Sequence, residues 1–171
     1  MTAYVALLRA VNVGGTGKLP MAELKAMADA AGFRKARTYI ASGNLVFESD
    51  GSEAEVKRTL EAALEGYASK PVGVLVRTAT EMDEVLAANP FGDQPSARVV
   101  AVFLDAAPPK DAVAAAKHLT NERVHVGKRE FYVHYPDGQG VSKLTIPAAK
   151  SGTARNMNTV AKLAEMADGL S

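Results

Sequence analysis

The sequence predicts an α+β protein, and three observations carry that reading. Apolar runs of strand length recur along the chain, and between them lie stretches whose apolar residues return at helical spacing. Glycine, proline and capping residues fall where one period gives way to the other. With 171 residues, of which 47% are hydrophobic and 23% charged, the chain has room for one domain or two small ones sharing a core.

Residues 4–11 read as a strand with Tyr4, Ala6 and Leu8 on one face and Val5 and Leu7 on the other. Both faces are apolar, the pattern of a strand covered on both sides. A glycine-rich loop (residues 12–18) follows, then a helix from Pro20 with a stripe of Met21, Leu24, Met27 and Ala31. Gly32 and Phe33 supply a Schellman-type stop. Residues 38–41 and 45–48 read as two short strands joined by a tight Ser42-Gly43-Asn44 hairpin. Ser52 and Glu55 form a capping box for a helix that buries Val56, Leu60, Ala63 and Tyr67. Residues 72–77 are a fourth strand. The order βαββαβ is that of the ferredoxin-like unit.

The second half is related without repeating the first cleanly. A helix starts after Thr80, turns Met82, Val85 and Leu86 inward, and stops at Asn89-Pro90. Residues 98–104 form a buried strand, and Pro108-Pro109 opens an alanine-rich helix through Lys117. Residues 123–126 and 131–135 pair across Gly127-Lys128, residues 136–152 look irregular, and residues 154–167 form the final helix. A joint is expected near residues 77–80, giving a ferredoxin-like half at 1–78 and a related α/β half at 79–171.

Composition removes several function classes. Twenty basic and 19 acidic side chains leave a net charge of +1, too even for a general nucleic-acid or membrane-surface footprint. There is no cysteine, hence no disulfide, thiolate nucleophile or cysteine-bound metal. No leader pattern opens the sequence and no apolar run nears the roughly 20 residues of a membrane helix, so a cytoplasmic protein is expected. His118, His125 and His134 lack helical metal spacing; the first should end a helix and the other two lie on strand surfaces. Tyr132, His134 and Tyr135 could line a pocket or simply pack. Glu81, Asp83 and Glu84 read as a charged first turn rather than an acid/base pair. No nucleophile elbow or dinucleotide fingerprint is present, and no cofactor is implied.

Topology then gathers candidate residues. In a βαββαβ unit the loop after the first strand and the hairpin after the second lie at one end of the sheet. That places Arg9, Asn12, Gly14 and Gly15 near Ser42, Gly43 and Asn44. Arg9 sits on the face of Val5 and Leu7, at the end of a strand with no exposed face, so its guanidinium needs carboxylate, carbonyls or a bound anion. The run Gly14-Gly15-Thr16-Gly17-Lys18 could cradle phosphate with backbone N–H groups, but it is not a Walker A loop, because Leu19 stands where the magnesium-binding hydroxyl would be. Both glycine turns also make sense without a ligand. On the last helix, Met157, Val160, Ala161, Ala164 and Ala167 share one face, while Arg155, Asn158, Thr159 and Lys162 share the other. Asn156 falls at the apolar edge. With Thr153 as the cap, Thr153, Arg155, Asn156 and Asn158 would surround a helix N-terminus that can take either an anion or ordinary capping.

The motifs LLRAVNVGG, KLPMAEL, YIASGNLVF, NPF and TARNMNTVAKL, in that order, resemble those of a bacterial family called domain of unknown function 1697. The resemblance runs along essentially the whole chain. It implies two ferredoxin-like halves packed into one compact unit, and it places Arg9, Asn12, Gly14, Gly15, Ser42, Gly43, Asn44, Arg155, Asn156, Asn158 and Thr159 at motif positions. Where the family usually has tryptophan between the closing asparagines, this chain has Met157, which fills volume but stacks less well. The resemblance carries no reaction.

The expectation is therefore a binding protein, or an enzyme of unknown type, for a small anionic or phosphate-bearing ligand. No general base is placed, so no catalytic mechanism is assigned. Single-stranded nucleic-acid binding and a structural or protein-interaction role are the alternatives. Against the first stand the 6% aromatic content and the even charge.

Overall fold

The computed structural model describes residues 1–9 and 19–170. It contains two four-stranded antiparallel sheets and divides into two compact units, Met1–Asp83 with Leu163–Ser171, and Glu84–Lys162. The α+β class is as the periodicities indicate.

In the first unit the elements are β1 (Thr2–Leu8), α1 (Met21–Ala30), β2 (Arg34–Thr38), β3 (Asn44–Ser49), α2 (Glu53–Ala68) and β4 (Val74–Thr78). The sheet order is β2-β3-β1-β4, with every neighbouring pair antiparallel. Two crossovers put α1 and α2 on one face, where Leu24, Ala28, Val56, Leu60 and Leu64 meet Tyr4, Ala6, Leu8 and Phe47. The other face, with Val5, Leu7, Val46 and Leu75, is buried as well. The doubly apolar first strand is thus covered on both sides. Phe33 stacks on Phe47 with ring centroids 4.4 Å apart.

Local signals account for the helix ends. After α1 the Phe33 N–H reaches the Ala28 carbonyl and the Gly32 N–H that of Asp29, while Gly32 takes φ +84°, a Schellman stop. The Ser52/Glu55 capping box is present at α2. In that helix the buried stripe runs through Leu64, while Tyr67 lies 45% exposed, so the expected burial of Tyr67 is corrected.

The second strand is displaced from its expected place at residues 38–41. The actual β2 (RKART) buries only Ala36, lies at the sheet edge, and carries a register shift between Arg34 and Arg37, with Lys35 at φ +54°. An edge strand exposes one side to water and needs little apolar pattern. The β-branched and aromatic residues that suggested a strand, Tyr39 and Ile40, lie in the turn that follows.

The second unit holds β5 (Val99–Phe103), β6 (Arg123–Val126), β7 (Glu130–His134) and β8 (Thr153–Asn156), in the order β6-β7-β5-β8, again antiparallel throughout. Strand for strand this is the order of the first sheet. The boundary between units falls inside α3 (Ala79–Ala87) and α4 (Met157–Asp168). Thr78 and Glu81 form a capping box at the start of α3, so Glu81 is a capping residue.

Several expectations fail here. The alanine-rich helix from Pro108-Pro109 to Lys117 is a run of turns. Its inward face would offer little beyond the methyls of Ala112 and Ala116. Lys117 instead exchanges backbone hydrogen bonds with Thr145 at 2.7 and 2.9 Å, and His118 takes φ +60° rather than ending a helix. The final helix begins at Met157 rather than residue 154, because residues 153–156 pair with β5 from Phe103↔Thr153 to Val100↔Asn156. Its buried side includes Leu163 and Met166, whereas Ala161 is exposed and Thr159 is buried. His134 is buried, 5.8 Å from the Phe91 ring, instead of on a strand surface.

Candidate functional site

At the end of the first sheet β1 stops at Leu8, and Arg9 follows in a bend, half-buried rather than enclosed in a strand. The Leu8 N–H donates to the Gly43 carbonyl and the Arg9 N–H to the Gly73 carbonyl, both at 2.9 Å. Arg9 therefore emerges between the β2–β3 turn on one side and the approach to β4 on the other. Its aliphatic stem lies against Gly73: a Cβ there would stand 2.9 Å from Arg9 Cδ. Glycine at 73 is what lets the stem take this course. Asn12, Gly14 and Gly15 lie outside the described residues.

The turn occupies residues 39–43, and Asn44 is the first residue of β3 rather than part of the loop. Asn44 is fully buried. Its Nδ2 donates to the Tyr39 carbonyl at 2.9 Å and to Ser42 Oγ at 3.0 Å, and its carbonyl accepts from the Tyr39 N–H at 3.1 Å. The asparagine thus holds the turn shut from inside. Gly43 has φ +89°, and Ile40, 49% exposed, has φ +50°. A β-branched residue in the left-handed region is strained, because its Cβ substituents crowd the backbone. Of the turn residues expected beside Arg9, Gly43 is bonded by the preceding Leu8, the Arg9 N–H itself goes to Gly73, and Asn44 is turned inward.

In the second unit, Thr153, Arg155 and Asn156 belong to β8, so Thr153 is not the helix cap. The cap is Asn156, whose Oδ1 accepts from the Thr159 N–H at 3.0 Å. Its amide, costly to bury bare, is used at the helix start. Arg155 is buried; its Nη1 donates to Thr153 Oγ1 at 2.7 Å and to the Ala154 carbonyl at 2.9 Å. Burial lowers its pKa to about 10, which still leaves it charged at neutral pH. Asn158 is exposed.

Sequence reasoning missed the counterpart of Arg155. Arg77 on β4 is 1% exposed, and its Nη1 donates to the carbonyl of Val76, the residue before it, at 3.0 Å. Each arginine stands one residue before a helix cap, Arg77 before Thr78 and Arg155 before Asn156. Each is paired across its sheet with the central strand, Val5↔Arg77 and Ala101↔Arg155. The signal was an arginine followed by a capping residue at the close of each half.

Acid–base chemistry is poorly supplied. Glu122 accepts from Ser142 Oγ at 2.5 Å and from the Thr120 N–H at 2.8 Å, and these bonds lower its pKa to about 2, making it a weak proton acceptor. The Asp168 carboxyl is raised, by burial first and by Asp83 second. Tyr132, whose hydroxyl donates to the Val85 carbonyl at 2.8 Å, is pushed up to about 12 by burial and Glu130. Among the described residues no group of three or more histidines, aspartates and glutamates could hold a metal ion. No described helix is long and apolar enough to cross a membrane.

The model of a family described as protein of unknown function, DUF1697, matches residues 1–132. Among solved structures, the conserved bacterial protein SP0830 from Streptococcus pneumoniae is similar to this chain with a TM-score of 0.79 and 25% identity. The alignment covers 97% of this chain and 98% of that one. No curated protein matches.

Proposed function

We propose, from the premise that the chain belongs to the DUF1697 family, that it binds a small anionic or phosphate-bearing ligand at the end of the first sheet where Arg9 emerges. The observation that carries this reading is the seating of the half-buried Arg9 on Gly73, next in sequence to Leu8, which bonds the strained turn at Gly43. Arginine is suited to the task because its planar fork matches phosphate and carboxylate oxygens two at a time. Strain retained at an exposed turn is a feature of binding sites. Arg155, Asn156 and Asn44 serve the fold itself, and the ligand contacts fall to Arg9 and the Ser42-Gly43 backbone. The element order and strand order of the first unit support its ferredoxin-like assignment, and the second sheet repeats that strand order.

A small ligand is favoured over a strand of bases because the aromatic residues on the strands, Tyr4, Phe47, Phe103, Phe131 and Tyr132, are all buried. Stacking of bases needs exposed rings.

The test is a thermal-shift screen of the full chain against inorganic phosphate, nucleotides, sugar phosphates and short oligonucleotides. A ligand at about 100 times its Kd stabilises by roughly 2.7 kcal/mol. Stabilisation by a phosphorylated small molecule is expected, lost in Arg9→Ala and weakened in Gly73→Ala, where the new methyl displaces the arginine stem. Overturning results are no shift with any compound, or a shift that survives in a folded Arg9→Ala protein.

A further inference from the structure

The two sheets share a strand order but differ in what covers them. In the first unit, α1 and α2 lay Leu24, Leu60 and Leu64 across the sheet. In the second, the corresponding connections, residues 104–122 and 135–152, form turns and 3-10 segments that bring smaller groups, such as Ala112, Ala148 and Ala149. Among these segments of the second unit lies a half-open pocket of about 200 Å³. Val102, Val133, Leu144 and Ile146 supply apolar wall, Thr153 lies on the strand side, and the exposed Gln139 also borders the cavity.

The hollow does not come from a loose connection. Immediately before β8 the chain presses so closely on β5 that a Cβ at Gly152 would lie 2.4 Å from the Phe103 carbonyl oxygen and 2.7 Å from Leu104 Cδ2. Tyr135, which also lines the pocket, is held by its N–H donating to the Arg98 carbonyl at 2.8 Å. The space is framed by tight contacts and left open between them.

We propose that this cavity is a binding site for a single-ring aromatic compound carrying one polar group. Its size sets the class: a closed apolar cavity of about 150 Å³ accepts benzene, and this half-open pocket of about 200 Å³ admits one ring with a small substituent. Its lining sets the chemistry. The valine, leucine and isoleucine walls take the ring, while the Gln139 amide meets a hydroxyl or ring N–H. Among the described residues none that lines the pocket is charged, which favours a neutral compound. This site lies within the second unit and is independent of the Arg9 reading.

Amide NMR titration of the full chain with benzene, phenol and indole tests it. Saturable shifts at Val102, Val133 and Ile146 are expected, with phenol or indole binding more tightly than benzene. Ala149→Phe and Ala154→Leu, which fill the space, should each weaken binding at least tenfold while remaining folded. If Ala149→Phe disrupts folding, Ala154→Leu decides alone, and Val133→Ala, which enlarges the hollow, should favour indole over benzene. Absence of saturable shifts at these residues with all three probes overturns the proposal. So do shifts unchanged in a folded filled variant. The Arg9→Ala protein should bind the three probes as the parent does.

Discussion

Asn44 illustrates how a polar residue that looks like a ligand-binding group can be consumed by the fold. Its side chain and carbonyl both engage Tyr39, so the turn keeps Ile40 in a conformation that the residue would not choose alone. Asn44→Ala removes two donated bonds and leaves the Tyr39 carbonyl without its side-chain partner. That should cost about 1–3 kcal/mol, read as a lower urea midpoint with unchanged slope. The role could not be read from the sequence, because Ser-Gly-Asn fits a hairpin turn equally well with asparagine inside or outside it. Asn156 was more legible: its place at the apolar edge of the last helix called for a partner, and the Thr159 N–H is that partner. Arg9 was legible in position but not in burial, because the strand ends one residue before it.

Among the elements, those with a strong apolar period emerged from the sequence, as did the edge strands β4 and β6, while the edge strands β2 and β8 did not. β1, β5 and β7 are central strands buried along most of their length. β2 and β8 lie at sheet edges and are made largely of polar residues, so their ladders rather than their patterns define them. The alanine-rich segment shows the converse, with good helix formers overruled by the Lys117–Thr145 pairing. The two irregular connections of the second unit are tied to one another through Glu122 and Ser142. The Glu122 carboxyl titrates near 2 in the folded chain against an ordinary value of 4.5. Its stabilising contribution is therefore complete above about 4.5 and is lost as pH falls toward 2. Ser142→Ala, lacking the largest of the bonds that lower this pKa, should lose less stability over the same interval. Melting temperatures of parent and variant between pH 6 and pH 2, which should converge toward the acid end, check this.

For the whole molecule, the informative feature is that the first unit is assembled from two separate stretches of chain. Leu163, Met166, Ala167 and Leu170 are buried, and the Leu170 carbonyl accepts from Lys35 Nζ at 3.1 Å, beside the Lys35–Glu48 ion pair on the β2 edge. Helical periodicity identifies the buried side of α4 but is a local signal; it does not tell which unit that side joins. A chain ending at Lys162 loses three large apolar side chains, each worth about 1.5–3 kcal/mol when buried. Hydrogen exchange at β1 and β3 amides should accelerate markedly in that truncated protein. Unchanged protection would show that the closing segment contributes little to the first unit.

That same division sets an order of events during synthesis. Residues 1–83 leave the ribosome first, yet the unit they belong to lacks its last segment until Glu84–Lys162 has been translated. At about 5–20 residues per second, the delay is on the order of ten seconds. Throughout that interval the nascent first unit carries apolar surface that only the closing segment can cover. A chaperone acting on this chain would find its substrate in the half made first, and release would await the half made last.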